Sequence, residues 1–544
     1  MEIVSIVLLL LLAVVVSGAI SRMLPLSMPT PLVQIALGAA IGLAANLRVT
    51  LDPELFLLLF LPPLLFLDGW RIPKDELLKD VSTVVELALG LVLLTVIGVG
   101  LFIDWLIPAM PLGVAFALAA VVSPTDPIAV SAIAARVPIP RRMMHILEGE
   151  SLLNDATGLV CLRFAIAAAL TGTFSVAEAG LTFVWLAFGG IAIGVGVTLT
   201  VTRAKAWVSS RFGEDIGSQV VISLLIPFAA YILAEHIHCS GILAAVAAGV
   251  TMTFAEVSRQ ALPATRMRRN SVWDTIQFAL NGIIFVLLGE QLPAILGQAG
   301  ETVKLTGHSN PWWLGIYVLA IMLALAALRF AWVWVSFRLT LLRRRGETPF
   351  RSPDWRLIAA MSFAGVRGAI TLAGVLTIPL AMGDGTPFPA RDLAIFLATG
   401  VIILSLVIAS VGLPILLRDL TMPAEPSKQA EEDRARVAAA EAAIRAIERV
   451  QHALADGRSD ADLYAGAGTR IMDLYRERID VRSQQGRTAS EARMSDRIER
   501  DLRLAALGAE RDEIFRIARD GQIGSATAQK LIRELDLIEI RYKA

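Results

Sequence analysis

Residues 115–135 read AFALAAVVSPTDPIAVSAIAA, an apolar stretch interrupted at its centre by Ser123-Pro124-Thr125-Asp126-Pro127. A stretch of about 20 apolar residues is long enough to cross a bilayer as a helix. Each of the two prolines removes a backbone donor, so we expect this helix to break at Thr125-Asp126. Non-helical backbone at membrane depth is tolerated only where it faces protein or a water-filled cavity. Freed carbonyl groups beside a carboxylate therefore predict an oxygen-lined cation site inside a membrane protein.

The composition supports a membrane protein with a charged tail. The 544 residues are 56% hydrophobic and 18% charged, with a mean hydropathy of +0.65, whereas soluble domains are near 25% charged. The charges are unevenly distributed, because residues 421–544 carry 45 Lys, Arg, Asp and Glu and the first 420 residues carry 53. We therefore predict a transmembrane domain over 1–420 and a cytoplasmic helical tail domain over 421–544.

Charge and cysteine usage exclude several other classes of protein. The formal net charge is zero, which gives no reason to expect a nucleic acid as a partner. The two cysteines, Cys161 and Cys239, are too few for a disulfide scaffold or a cysteine-built metal site. A glycine-rich phosphate loop, an HExxH motif and a serine elbow are all missing from the sequence. We therefore expect neither an enzyme nor an ATP-driven pump, and no cofactor.

Thirteen segments match the length and apolarity of a membrane-spanning helix. They are residues 2–20, 31–46, 51–68, 82–104, 112–135, 144–170, 177–202, 217–236, 240–257, 271–290, 311–338, 355–380 and 393–417. The first is kept as a span, since a signal peptide would begin with basic residues and this one begins with Glu2. The fold prediction is an all-α polytopic membrane protein.

Basic residues are concentrated in alternate loops. Counted with the span edges, loops after odd-numbered spans hold 19 Lys and Arg, and loops after even-numbered spans hold only Arg48, Lys304 and Arg391. The positive-inside rule then places the N-terminus outside and the tail in the cytoplasm. The alternation also favours an odd number of spans in the plasma (inner) membrane.

Polar residues at mid-membrane depth mark the sixth span. Its sequence contains Glu148-Gly149-Glu150-Ser151-Leu152-Leu153-Asn154-Asp155. A charge at this depth costs about 2.5–3.5 kcal/mol on insertion scales, so it needs a reason. Ser151 and Asp155 share one helix face, and Glu150 and Asn154 share the next. This pattern predicts a stripe of oxygen atoms that faces a partner helix.

The twelfth span contains Phe363-Ala364-Gly365-Val366-Arg367-Gly368-Ala369. Its glycines permit a break, and the permanent cation of Arg367 must be paired, with Glu150 as the expected partner and Asp126 and Asp155 as alternatives. Spans 1–6 and 8–13 would form two inverted six-helix repeats, in which the fifth and twelfth spans correspond. Two interrupted segments at corresponding positions are typical of a transporter's binding site.

Simpler interpretations exist for several of these residues. Asp155 could be a neutral, hydrogen-bonded carboxyl group, and Asp126 could cap a half-helix that starts at Pro127. Asp68 could be interfacial or a supporting carboxylate near the site. The remaining candidates are assigned structural roles: Arg163, Arg329, Trp332 and Trp334 as packing, snorkelling or interface anchors, and Glu235-His236-Ile237-His238-Cys239 as boundary residues rather than a metal site.

These residues together resemble the monovalent cation–proton antiporters, in the branch of bacterial Na+/H+ antiporters and animal Na+/H+ exchangers. The matching pieces are Leu61-Pro62-Pro63 with Leu67-Asp68-Gly69, Thr125-Asp126-Pro127, Glu150-Ser151 with Asn154-Asp155, Ser240-Gly241-Ile242-Leu243, and Phe363 through Gly368. The resemblance implies a homodimer in lipid, in which a core bundle moves against a dimer scaffold with broken crossing helices.

The resemblance also implies roles for the site residues. Asp155 would bind a cation or protons in turn, with the Thr125 carbonyl and the Ser151 hydroxyl as cation ligands. Asn154 stands where the electrogenic branch carries a second Asp, which implies electroneutral exchange. The remaining implied roles are an ion pair of Glu150 with Arg367, an orienting role for Asp126 at the crossing, and a less closely matched acidic position at Asp68.

The expected function is exchange of Na+, with Li+ or K+ as further candidates, for H+, with a role in pH regulation. A single carboxylate cannot hold a cation and a proton together, so alternating exposure of Asp155 would couple the two. A cation channel or uniporter, or a membrane sensor that signals through the tail, remain alternatives. In the tail, residues 427–455, 459–480, 489–519 and 525–541 predict helices of a regulatory or assembly domain, or of a solvated stalk.

Overall fold

The computed structural model describes residues 2–23, 28–45, 53–72, 86–126, 130, 141–171, 176–256, 263–304, 306–308, 310–343, 355–382, 385–417, 426–455, 461–483, 487–520 and 522–543. Within these residues the structure is helical and contains no β-strand. The chain divides into two compact units, Met1–Leu420 and Thr421–Ala544.

Fifteen helices are described in the first unit. They are α1 (Glu2–Met23), α2 (Thr30–Ala45), α3 (Pro53–Arg71), α4 (Val92–Leu106, preceded by a π-helical turn, Glu86–Leu91), α5 (Leu112–Val122), α6 (Arg141–Thr171), α7 (Val176–Phe212), α8 (Ile216–His236), α9 (Gly241–Glu256), α10 (Pro263–Gly297), α11 (Ala299–Lys304), α12 (Trp312–Arg343), α13 (Trp355–Phe363), α14 (Ala369–Leu376) and α15 (Arg391–Leu417).

Eight of the described helices are long and apolar enough to cross a membrane. Each of the thirteen segments predicted as spans contains at least one helix, and three further apolar helices, Thr30–Ala44, Leu112–Val122 and Gly241–Ala255, are shorter. The prediction of an all-α protein with many membrane-spanning helices is therefore confirmed.

Two of the predicted spans are interrupted. Helix α5 ends at Val122, and residues 123–126 are not helical. Helix α13 ends at Phe363, and residues 365–368 are not helical before α14 begins. Both breaks follow from local chemistry, because prolines flank Thr125-Asp126 and glycines flank Val366-Arg367. Most of the second half of the predicted fifth span (127–129 and 131–135) lies outside the described residues.

The helices of this unit form two groups. In the first, α2 packs along α10, α3 and α7 pack on α9, and α1 and α8 complete the group; in the second, α4, α5, α6, α12, α13, α14 and α15 pack together. Glycines allow the close approach of α2 and α10, since an added Cβ at Gly289 would overlap the carbonyl of Ile35. Contacts of α3 and α10 with α14 join the two groups beside the interrupted segments.

The second unit consists of four described helices, α16 (Pro426–Ala455), α17 (Ala461–Ser483), α18 (Arg487–Arg519) and α19 (Ser525–Lys543). The Arg511 guanidinium on α18 donates to Asp536 at 2.8 Å and to Glu539, both on α19. This cluster fixes the pairing of the last two helices.

Candidate functional site

The two interrupted segments cross each other inside the first unit. The backbone N–H of Asp126 donates to the carbonyl oxygen of Val366 at 2.7 Å, so the two non-helical stretches share a main-chain hydrogen bond. Gly368 makes this approach possible, because a Cβ there would overlap the Asp126 carboxylate. Backbone groups that the breaks release are thereby satisfied within the protein.

Arg367 holds the ends of the interrupted helices. Its Nε donates to the carbonyl of Val122 at 2.9 Å, and its Nη1 donates to the carbonyl of Gly365. Its backbone N–H donates to Ser405 Oγ at 3.1 Å. Val122 is the last residue of α5 and Gly365 follows α13, so the guanidinium lies where two helices end in negative partial charge. A buried cation is favourable at that point.

The side chain that pairs directly with Glu150 is Arg329, and not Arg367, which the sequence pointed to. Arg329 Nη1 and Nη2 lie 2.5 and 2.9 Å from Glu150 Oε1 and Oε2, and Nε donates to the Met361 carbonyl at 3.1 Å. The two side chains are only 3% and 1% exposed. The Nε and Nη1 donors of Arg367 are instead bonded to the carbonyl groups of Val122 and Gly365. From the sequence, Arg329 is expected to have a packing or anchoring role. A permanent cation inside an apolar span, however, needs a carboxylate partner.

Thr125 joins the crossing to helix α6. Its hydroxyl donates to Glu150 Oε1 at 3.5 Å and accepts from Asn154 Nδ2 at 2.9 Å. Glu150, Asn154 and Thr125 are all buried. The neutral amide of Asn154 therefore positions the interrupted segment, and the Glu150–Arg329 pair supports it from the other side.

A cavity of about 20 Å³ lies beside the crossing. It is lined by Leu64, Asp68, Pro124, Thr125, Asp126, Ser151, Asp155, Asn281, Gly368, Ile370 and Thr371. Ser151 and Asp155 lie one turn apart on α6, and both face this cavity. A space of this size holds about one water molecule or a small ion.

The cavity brings together five of the residues that the sequence singled out. Asp155, Ser151, Thr125, Asp126 and Asp68 line it, whereas Glu150 and Asn154 do not. Carboxylate, hydroxyl and carbonyl oxygens are the ligands that hard cations prefer. In the described part of the chain, no group of three or more His, Cys, Asp and Glu is arranged to hold a metal ion. The oxygen atoms of the lining fit a small hard cation.

A wider cavity of about 550 Å³, here called the funnel, adjoins the small one. The two share Asp68, Ser151 and Asn281. Farther out, the Arg71 guanidinium pairs with Asp274 and donates to Gln277 Oε1 at 2.6 Å. The other residues that line the funnel include Thr30, Gln34, Glu148, Phe278 and Phe285. The funnel gives the small cavity access toward the end of α3 that carries Arg71.

An ion pair joins the two helix groups away from the funnel. Arg163 Nη2 on α6 lies 2.8 Å from Glu235 Oε1 on α8, and the same oxygen accepts from the backbone N–H of Gly241 at 3.1 Å. Glu235 is thus engaged by a helix N-terminus and an arginine, and Arg163 has an ion-pair role in place of the packing role assigned to it.

Asn281 and Thr371 were not identified from the sequence. Asn281 lies within the apolar run FALNGIIFVLL of α10. A polar side chain in such a run is the sequence feature that could have identified it as a site residue. Thr371 lies one turn into α14, beyond the glycine-rich break. Neither residue belongs to a motif whose spacing points to the cavity.

The chain is similar to a known family and to known proteins over most of its length. The family described as "Sodium/hydrogen exchanger, transmembrane" matches residues 7–419. The uncharacterized Na(+)/H(+) exchanger YjcE of Escherichia coli (strain K12) is 44% identical over 549 residues, covering 99% of this chain and 98% of its own. The sodium, potassium, lithium and rubidium/H(+) antiporter of Bacillus subtilis (strain 168) is 38% identical over 548 residues, covering 100% of this chain and 78% of its own.

A solved structure shares the fold. The sodium proton antiporter MjNhaP1 from Methanocaldococcus jannaschii superimposes with a TM-score of 0.57 and 19% sequence identity, covering 77% of this chain and 99% of that one. The family resemblance seen in the sequence motifs is therefore confirmed.

Proposed function

The chain belongs to the sodium/hydrogen exchanger family, and on that premise we propose that it is a secondary active antiporter. It exchanges monovalent cations for protons across the plasma membrane by alternating access around Asp155. The observation that carries this proposal is the small cavity, in which Asp155, Ser151 and Thr125 converge at the crossing of two interrupted helices.

The coupling follows from competition for one carboxylate. A cation that arrives through the funnel displaces the Asp155 proton, which leaves through the funnel, and the cation is held by the Ser151 hydroxyl and the Thr125 backbone carbonyl. Release on the other side returns a proton to Asp155. Asp126 orients the crossing through its contact with Gly368, and Asp68 supplies a further carboxylate at the junction with the funnel. The cation and the proton are substrates, and the mechanism uses no cofactor.

The stoichiometry is proposed to be one cation for one proton. Asn154 is neutral and holds Thr125 rather than lining the cavity. The cation set is proposed as Na+, with Li+ and K+ as further substrates, since the similar Bacillus subtilis protein is a sodium, potassium, lithium and rubidium/H(+) antiporter by name.

The architecture is proposed as thirteen crossings in two inverted six-helix repeats, with the N-terminus outside and the tail in the cytoplasm. In this orientation the funnel opens toward the cytoplasm at Arg71, and the Arg163–Glu235 contact lies at the outer side. The protein would act as a homodimer in lipid, with the first helix group as scaffold and the second as the moving core.

The test is cation-driven proton release from inside-out vesicles, followed with a pH-sensitive dye as Na+, Li+ or K+ is added. We expect the wild-type protein to release protons and Asp155→Asn to release none while remaining folded. Glu301→Gln is the matched control, because it makes the same carboxylate-to-amide change at a side chain that is 80% exposed. This control should keep wild-type exchange.

Three other outcomes would contradict this proposal. Exchange by Asp155→Asn would overturn the assignment of Asp155. Cation uptake without proton movement would favour a channel or uniporter, and no transport of either ion by the wild-type protein would favour a membrane sensor.

A further inference from the structure

We propose that the side-chain oxygen of Asn281, on helix α10, is a cation ligand at the junction of the funnel and the small cavity. It receives the cation from the funnel and sets the apparent affinity measured from that side. The inference rests on the proposed antiport function, and it adds a ligand from the first helix group to a site whose central carboxylate belongs to the second.

The first observation is an unmatched polar atom. Asn281 is 8% exposed, and its Oδ1 has no hydrogen-bond partner in the described structure. Buried amide oxygens in proteins are nearly always hydrogen-bonded, so an exception calls for an explanation. A passing cation or its water would satisfy this oxygen.

The second observation is the position of the side chain. Asn281 lines both cavities, together with Asp68 and Ser151. An ion that moves from the funnel to Asp155 must pass between these residues. Asn154 also has an unpartnered, buried Oδ1, but it lines neither cavity, so the same role does not extend to it.

The chemistry of an amide separates its effect from that of the carboxylates. The amide oxygen attracts a cation through its dipole, but it takes up no proton in the physiological range. Loss of Asn281 should therefore weaken cation binding and leave the pH dependence of exchange at saturating Na+ unchanged. Loss of a carboxylate in the cavity would change both.

The location on α10 makes the effect one-sided. Asp155 lies on α6 in the second helix group, and Asn281 lies in the first, so the two converge only in this arrangement of the groups. When the core moves to face the other side, Asp155 leaves Asn281. The affinity for a cation offered from the funnel side should depend on Asn281 more than the affinity from the opposite side.

The test compares Asn281→Leu with Asn281→Asp, two side chains of the same branching and nearly the same size that differ in carrying oxygen. Initial exchange rates are measured against Na+ concentration in inside-out and in right-side-out vesicles. Asn270→Leu is the control, because Asn270 makes the same substitution possible at an exposed position of α10 that lines neither cavity.

For Asn281→Leu we expect KM for Na+ to rise about tenfold from the funnel side, with kcat and the pH optimum at saturating Na+ unchanged. From the opposite side KM should rise by less than about threefold, and Asn281→Asp should keep a wild-type or lower KM. Asn270→Leu should stay within about twofold of wild type.

An unchanged KM in Asn281→Leu, or an equal rise from both sides, overturns the role of Asn281 while the antiport function stands. If the wild-type protein fails to exchange, the proposed function itself has failed. Thermal unfolding in detergent shows whether Asn281→Leu is folded. If it is not folded, Asn281→Ala replaces it in the comparison.

Discussion

At the scale of single residues, Arg329 and Arg367 are both buried cations, but they satisfy their donors differently. Arg329 forms a bidentate pair with Glu150, whereas Arg367 donates to the carbonyls of Val122 and Gly365. A buried ion pair contributes little net stability when intact, yet loss of one partner leaves an uncompensated charge. The structure therefore separates a charge-pair role at Arg329 from a helix-end role at Arg367.

A double-mutant cycle tests this separation. Glu150→Leu or Arg329→Met alone should destabilise the protein by about 3–5 kcal/mol, because each leaves the other charge buried and unpaired. The double variant Glu150→Leu/Arg329→Met should recover most of that loss. Equilibrium unfolding in detergent measures the free energy of unfolding of each variant. The matched cycle of Glu150→Leu with Arg367→Met should show no comparable recovery, and a recovery there would restore the Glu150–Arg367 pair.

At the scale of helices, the site depends on two interruptions that fit against each other. One comes from prolines and the other from glycines, and a single backbone hydrogen bond between Asp126 and Val366 joins them. Gly368 is essential for steric reasons, since its φ of −135° is accessible to any residue but the space for a Cβ is filled by Asp126. The crossing therefore tolerates no side chain at this position.

Gly368→Ala should reduce the exchange rate about a hundredfold, because Asp126 must move and a displacement near 1 Å is enough to disturb a site of this kind. Gly374→Ala is the matched control in α14, where a Cβ would lie 3.2–3.6 Å from the mobile ends of Leu159, Val121 and Leu162. The control should keep exchange within about threefold of wild type. Initial rates in vesicles decide the comparison, and equal losses in both variants would count against the steric explanation.

At the scale of the whole molecule, the funnel adjoins the small cavity, and an ion pair elsewhere in the first unit joins the two helix groups. The funnel reaches Asp68 and Ser151, and the Arg163–Glu235 pair connects α6 to α8 elsewhere. Under the proposed alternating access, this contact would separate when the two helix groups change their arrangement. Its partly exposed charges suit an interaction that forms and breaks repeatedly.

Glu235→Gln should weaken the contact and still accept the hydrogen bond from Gly241. We expect the population with an open funnel to fall. The readout is labelling of Phe278→Cys, a funnel residue that is 49% exposed, by a membrane-impermeant thiol reagent in a background that lacks Cys161 and Cys239. Labelling should slow by at most about fivefold, given the modest strength of exposed ion pairs. Unchanged or faster labelling would argue that the contact does not control the arrangement.

The second unit gives a prediction of its own. Because residues 1–420 and 421–544 are separate compact units, deletion of 421–544 should leave a folded protein that exchanges cations for protons at a rate within about threefold of the full chain. Dependence on Asp155 should persist in the truncated protein. Loss of exchange with intact folding would instead make the tail an obligatory part of the transport cycle.

The sequence by itself determined the helical membrane architecture and the two interrupted helices, and it singled out five of the residues that line the small cavity. These features follow from local rules, namely apolar length, proline and glycine within a span, and the spacing of Ser151 and Asp155 on one helix face. The tertiary structure alone decided that Glu150 binds Arg329 and that Asn281 reaches the cavity. Those outcomes depend on distances between helices far apart in the chain, and several residues of suitable chemistry compete for each partner.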